Sequence, residues 1–403
     1  MNLPADDAPL PRLAIACLAL AAFGSGASLR INDALLPRLA TEFAVPLAVA
    51  AQVISVFAVA YGAAQLLFGP LGDRFGTYRV VGWGCAACAA SAAACAAAPD
   101  FTVLRLARVI AGISAASVIP LAMAWIGDVV PYERRQPVLA RFLIGQILGL
   151  SAGVWLGGFA ADHLSWRTPY AVVAALFAVV GVAVSLLERR LPARARATRR
   201  DPGSAAARMA ADFADVLSTR WARVILGCVF LEGVLLYGPF AFIATHLHQR
   251  FGVSLAAAGS LVMLFGFGGF AFALASQRLV GALGEVGLSR AGGVVMSGSL
   301  ATIGLAPAWS WAVPACFGAG LGFYMFHNTL QVNATQMTPA RRGPAVSAFA
   351  ACFFLGQSAG VSAGALLAQR WGTGPMIALG AGGLLVLALV FARLRATRPS
   401  LSG

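Results

Sequence analysis

Ionisable and amide side chains are scarce in the apolar stretches of this 403-residue chain, and the few present carry its candidate chemistry. Arg30 and Asp33 stand at i, i+3 near the end of the first apolar segment and so share a helix face. Arg108 lies in the fourth segment at a compatible depth, which gives Asp33 two candidate partners, Arg108 across the segments and Arg30 beside it. Glu232 sits about 16 Å along the seventh segment at 1.5 Å per residue, near its middle, with no basic residue close in sequence. If these segments cross a bilayer, a charge at such depth costs roughly 2.5 to 3.5 kcal/mol even on lenient scales, so each group needs a partner or a task. A carboxylate facing a guanidinium stays ionised and takes a proton once the two separate, so Asp33, Arg108 and Glu232 are candidate proton-coupling residues. The competing readings are a static ion pair, and a neutral Glu232 hydrogen-bonded to a neighbouring helix.

The tenth segment is the most polar, with Tyr324, His327, Asn328, Gln331, Asn333, Thr335 and Gln336. Tyr324, Asn328, Gln331 and Thr335 recur at spacings of four, three and four and share one helix face, with His327 opening a neighbouring line. Such a face lines a cavity or glues helices together through amides. Gln146 and Gln357 stand beside glycines at matching places in the fifth and eleventh segments. They are expected either to face one cavity from opposite sides or to cap tight helix contacts. Cys85 and Cys88 form a C-x-x-C without a second ligand pair, which reads as small-residue packing and predicts no metal. No H-E-x-x-H, G-x-S-x-G or phosphate loop is present, so catalytic residues are not expected.

The elements that must hold these groups follow from composition. With 60% hydrophobic and 11% charged residues and a mean hydropathy of +0.81, the chain belongs in a lipid bilayer. Twelve spans are expected, near residues 12–36, 47–69, 79–98, 102–126, 138–161, 168–188, 221–244, 255–276, 289–308, 312–336, 344–368 and 372–393. The net charge of +14 comes from arginine alone, since all 29 basic residues are arginine. With the N-terminus inside, only Arg38, Arg105, Arg167, Arg250 and Arg370 fall clearly outside, which places both termini in the cytoplasm. No basic stretch carries interleaved aromatics, so nucleic acid is not an expected partner. The first span has no clear cleavage site and reads as a retained helix.

The chain is also duplicated. Gly145-Gln-Ile-Leu-Gly149-Leu-Ser-Ala-Gly153 recurs as Gly356-Gln-Ser-Ala-Gly360-Val-Ser-Ala-Gly364, and Arg134-Arg135-Gln136-Pro137 recurs as Arg341-Arg342-Gly343-Pro344. Each offset is roughly 210 residues, so six spans repeat in parallel about an axis along the membrane normal. The predicted organisation is a six-helix bundle over 1–190, a cytoplasmic connector over 191–220 and a second six-helix bundle over 221–403. Residues 205–217 read as a short amphipathic helix with Met209, Phe213, Val216 and Leu217 on one side, or as plain solvated linker. Tyr237-Gly238-Pro239 predicts a kink beyond Glu232. The glycine ladders, Gly145, Gly149, Gly153 and Gly157 against Gly356, Gly360 and Gly364, read as matched hinges between a proton-handling half and a substrate-reading half.

Three motifs carry a family resemblance. Gly69-Pro-Leu-Gly72-Asp73-Arg74-Phe-Gly76-Thr-Tyr-Arg79 resembles the loop signature of the major facilitator superfamily. Leu104 to Ala116, with Arg108 and Gly112, is similar to the fourth-span segment of its proton-coupled members. The run of Gly145, Gly149, Gly153, Gly157 and Gly158 is similar to the signature of its drug and metabolite antiporters. Two departures stand out: Thr77-Tyr78 replaces the usual basic pair, and Val154 replaces a proline. The resemblance implies an all-α fold of twelve transmembrane helices in two pseudo-symmetric six-helix bundles. It also implies export of a small organic molecule in exchange for protons by alternating access, with no cofactor beyond the proton gradient. Its implied setting is a monomer in the lipid bilayer of a bacterial inner membrane. It assigns conformational roles to Gly69, Gly76 and a charge relay of Asp73 and Asp128 with Arg74 or Arg79. On their polarity and placement, Arg30, Gln146, Tyr324, His327, Asn328, Gln331 and Gln357 are the candidate substrate-cavity residues. Uptake by symport or facilitated diffusion fits the same fold, whereas a channel or membrane enzyme lacks a sequence signature here.

Overall fold

The computed structural model describes residues 11–191, 205–338 and 342–398. Among them the chain forms twelve spanning helices: α1 (Arg12–Arg30), α2 (Leu47–Phe75), α3 (Thr77–Ala97), α4 (Phe101–Val129), α5 (Arg134–His163), α6 (Thr168–Glu188), α7 (Arg220–Phe251), α8 and α9 within Leu255–Leu305, α10 (Ala312–Gln336), α11 (Gly343–Trp371) and α12 (Thr373–Ala396). Ten of these helical runs are long and apolar enough to cross a membrane. The count reaches twelve because α8 and α9 join into one run and because the amides of α10 lower its hydropathy. Arg194, Arg196, Arg199, Arg200 and Arg341, which figured in the charge and repeat readings, lie outside the described residues.

Two spans break at places only partly signalled by local residue types. The first apolar stretch is not one helix to residue 36: α1 ends at Arg30, residues 31–35 form turns, and Leu36–Glu42 resumes as a short helix. In α7 the expected irregularity near Pro239 is a five-residue π-helix, Gly233–Tyr237, followed by a turn at residues 241 and 242. The amphipathic segment is helical over Ala205–Ser218, with Val216 buried, Phe213 half-buried against the core and Leu217 exposed. The side chain of Met209 lies outside the description.

Each half repeats the same seams. The α5 ladder packs on α1: a methyl on Gly145, Gly149, Gly153 or Gly157 would overlap the carbonyl oxygens of Ala19, Phe23, Ala27 and Ile31 in turn. The α11 ladder packs on α7 in the same way, with Gly356 against Phe230, Gly360 against Val234 and Gly364 against Gly238. This corrects the hinge reading, because both ladders are seams inside one half. Only Gly158 turns the motif outward, onto the Leu255 carbonyl of α8. Equivalent reversals also join α2 to α3 at Gly76 (φ 93°) and α8 to α9 at Gly284 (φ 60°, ψ −177°). Gly284→Ala is expected to cost about 1–3 kcal/mol, since that backbone region is nearly closed to side chains. Thermal unfolding in detergent checks this, with Gly281→Ala as a control in open space.

The halves meet along α5–α8 and α2–α11, in the portions remote from the chain termini. There the Ser358 hydroxyl donates to the Ser55 carbonyl (2.9 Å), Ser362 Oγ bonds Ser55 Oγ (3.0 Å), and the Ala256 amide donates to Asp162 (2.6 Å).

Candidate functional site

The break after α1 positions the central ion pair. Backbone bonds from Ile31 to Ala27 (2.9 Å) and from Asp33 to Arg30 (3.2 Å) fold residues 31–35 back on themselves, which brings the Asp33 carboxylate beside the last helical side chain. Arg30 Nη1 donates to Asp33 Oδ2 at 3.4 Å, with the two side chains 3% and 1% exposed. The second carboxylate oxygen, Oδ1, has no hydrogen-bond partner. Of the two partners open to Asp33 from the sequence, the structure pairs it with Arg30.

Arg108 is occupied elsewhere. It is 1% exposed, donates to the carbonyls of Ser28 and Val53 (both 3.1 Å) and lies over the Phe57 ring at 4.1 Å. The Asn32 amide stands between it and the Tyr170 hydroxyl, and with its oxygen toward Arg108 it accepts from Nε and Nη2 at 3.2 Å. Arg108 thus ties the α1 break to α2, and its bearing on Asp33 is positional and electrostatic.

Arg30 also reaches across the halves. Its guanidinium lies 3.9 Å from the Tyr237 ring centroid and 5.0 Å from that of Phe240, contacts worth roughly 2 kcal/mol where water is excluded. A narrow cavity opens at this contact, walled by Arg30, Ser151 and Val154 of the first half and Tyr237, Phe240, Phe265 and Tyr324 of the second. Three of its wall residues belong to a continuous aromatic cluster in which Phe323 touches Tyr237, Phe265, Tyr324, His327 and Phe353. Sequence reasoning missed Tyr237, Phe240 and Phe265 as wall residues, and Phe323 and Phe353 as members of the adjoining aromatic cluster. Isolated aromatics in apolar helices carry no periodic signal, and only their convergence marks them.

Glu232 is completely buried and, as one of the two sequence readings had it, bonds to a neighbouring helix. Its Oε2 meets His327 Nδ1 at 2.7 Å, while Oε1 has no partner. The pair spans α7 and α10, a separation that no local inspection of sequence reveals. His327 remains 16% exposed and stacks among Phe323, Phe349 and Phe353.

The polar face of α10 starts at the cavity with Tyr324 and grows more open toward the end that carries the termini, where Asn328 is half-buried and Gln331 exposed. Thr335 instead bonds the Val332 carbonyl in its own helix, and Asn333 joins Glu285 (2.9 Å). Gln357 is fully buried with neither amide atom hydrogen-bonded, Gln146 is half-buried, and neither lines the cavity. The loop relay is not assembled through Arg79, which pairs with Glu188 at 2.7 Å. Arg74 lies over Phe75, and Gly69, Asp73 and Asp128 sit at exposed positions. The Arg79–Glu188 bridge joins α3 to α6, and its counterpart in the second half, Glu285–Arg395 (2.7 Å), joins α9 to α12 with the charges reversed. The cysteines are free, with Cys85 and Cys88 buried in helix packing.

Comparison with known proteins places this arrangement. The Major Facilitator Superfamily model matches residues 18–344. The chain is similar to the uncharacterized MFS-type transporter YwfA of Bacillus subtilis, 29% identical over 68% of this chain and 66% of the relative. It is also similar to the multidrug export protein EmrB of Escherichia coli, 29% identical over 40% of this chain and 32% of that protein. Among solved structures, a POT family transporter in complex with 5-aminolevulinic acid superposes with a TM-score of 0.76 at 14% identity, covering 95% of this chain and 96% of that one.

Proposed function

We propose that this chain, which belongs to the Major Facilitator Superfamily and is therefore a multi-pass membrane transporter and not an enzyme, exports a small organic molecule in exchange for protons. The observation that carries this reading is the buried Arg30–Asp33 pair, whose Arg30 lines a cavity formed where the two halves meet. A carboxylate held by one guanidinium changes its proton affinity when that guanidinium moves, and Arg30 must leave Tyr237 and Phe240 whenever the halves separate. Proton binding and cavity opening are thereby tied to the same contact. Glu232 supplies a second buried carboxylate in the other half.

Export is supported by the likeness to EmrB, whose name records multidrug export, and by the glycine-rich α5 motif. The aromatic lining suits a substrate with an apolar body. The working arrangement is a monomer in a bacterial inner membrane, with both termini cytoplasmic. Bundles over 1–190 and 221–403 would rock about the central site, joined by the connector at 191–220. The contacts remote from the termini then close the outer side, and the polar face of α10 lines an inward vestibule.

Inside-out membrane vesicles energised to an acidic interior, screened with aromatic organic molecules under a fluorescent pH readout, test the reading. Transported compounds are expected to release protons from the vesicles, and collapse of the gradient is expected to stop their accumulation. Accumulation that persists without the gradient, or that persists in the Asp33→Asn, Glu232→Gln double variant, would sink the coupling. Proton flux in the opposite sense would mark uptake by symport.

A further inference from the structure

The chemistry of the cavity wall narrows the substrate to one class. Among the described residues Arg30 is the only charged one in that wall, and both buried carboxylates lie outside it, Asp33 engaged by Arg30 and Glu232 by His327. A cation would therefore meet a guanidinium and no counter-charge. An anion fares no better, because the charge of Arg30 is already matched by Asp33 at 3.4 Å. It would leave one negative charge uncompensated in a buried site, a cost that such a site does not repay. If Asp33 took up a proton to relieve this, proton and anion would travel together, which is symport and not exchange. What the wall offers instead is donors and rings. Arg30 carries five N–H donors, and among the described residues its one side-chain hydrogen bond is that to Asp33. The hydroxyls of Ser151, Tyr237 and Tyr324 make no hydrogen bond among the described residues. Phe240, Phe265 and the two tyrosines supply aromatic surface. The Tyr324 ring lies so close to Gly269 that a methyl there would overlap it, which fixes that wall in place.

We infer that the substrate is an uncharged, planar aromatic molecule with a carbonyl-type acceptor, its rings against Phe240, Phe265 and Tyr324 and its acceptor on the remaining N–H donors of Arg30. This rests on the proton-coupled export reading above and names the class of molecule exported. A neutral substrate takes no carboxylate away from a proton, so the exchange runs through the pose of Arg30. Ionised Asp33 anchors the guanidinium at the cavity, where it lies over Tyr237 and Phe240. Once Asp33 is protonated, the guanidinium loses that anchor and the substrate its donor, so proton and substrate exclude one another. The other charged or titratable groups facing the pair are Arg108 of α4, Tyr237 of α7 and Tyr324 of α10.

Probes that share one ring system separate the classes: methylxanthone, a neutral planar ketone, and the same ring with a carboxylate or an aminomethyl group in place of the methyl. In equilibrium dialysis against the full-length protein in detergent, methylxanthone is expected to bind about tenfold or more tightly than either ion, given the cost of an unpaired buried charge. Methylxanthene, which lacks the carbonyl, is expected to bind about tenfold or more weakly than the ketone, the scale of one lost hydrogen bond to a charged donor. Arg30→Lys keeps a charge beside Asp33 but not the planar fork, and should erase the difference between ketone and methylxanthene. Phe265→Leu leaves the ion pair untouched and should weaken both alike, which places the binding in this cavity even where Arg30→Lys does not fold. Binding by none of the probes, tightest binding by either ion, or equal affinity for ketone and methylxanthene overturns the substrate class. Inside-out vesicles with an acidic interior judge the export reading separately. Proton release driven by the aminomethyl probe but not by methylxanthone overturns the class and leaves export standing, whereas methylxanthone that binds as expected yet accumulates without releasing protons overturns the proton-coupled reading and leaves the class.

Discussion

Gly149→Leu is expected to leave little or no folded protein in the membrane. The Cα of Gly149 faces the Phe23 carbonyl of α1 at a separation that a single methyl would violate, and the obstruction is backbone, which has no rotamer to yield. A four-carbon side chain must push α1 from α5 along a seam that also includes Gly145, Gly153 and Gly157. Overpacking of this kind costs about 3 kcal/mol or more, a large fraction of a typical domain's stability. Gly356→Leu should do the same to the α7–α11 seam, because its neighbour is the Phe230 carbonyl. Gly227→Leu, in open space on α7, should be tolerated. Fluorescence-detected size exclusion of detergent extracts distinguishes the three, and a monodisperse Gly149→Leu variant with the parent's melting temperature would refute the backbone-contact account.

Asp33→Ala carries the second large effect, on stability and transport together. Its removal leaves the Arg30 guanidinium, 3% exposed, without a counter-charge, and stripping one partner from a buried pair costs about 3–5 kcal/mol. Asp33→Asn keeps the shape and can still accept from Arg30, so its folding penalty should be smaller, while proton-driven efflux should fall by roughly 10²-fold or more, as for loss of a positioned acid–base group. Melting curves of both variants, set beside efflux from vesicles with and without a pH gradient, separate the two roles. Efflux by Asp33→Asn at the parent rate, still responsive to the gradient, would remove Asp33 from the mechanism.

Much of the architecture was readable residue by residue. The twelve apolar stretches, the polar face of α10 and the two glycine ladders follow from composition and short-range spacing, which bilayer thickness and helix pitch translate directly into elements. The site was legible only in part. Arg30, Asp33 and Glu232 drew notice because charge in hydrocarbon is costly and His327 because it stands beside a polar helix face, yet the partner of Glu232 comes from α10 and the rings under Arg30 come from α7. The breaks at 31–35 and 233–237 gave weak signals, since a π-helix needs no special residue.

The sequence alone determined what must be buried, how many times the chain crosses the bilayer, and that the chain repeats in two like halves. Those properties are set by each residue's free energy of transfer and by helix periodicity, and both are local. The tertiary structure decided which groups meet: Asp33 with Arg30, Arg108 with backbone carbonyls, Glu232 with His327, and Arg30 with the ring of Tyr237 from the other half. Pairing of that kind depends on the rotation and depth of every helix at once, and helix packing sets those only when all twelve are in place.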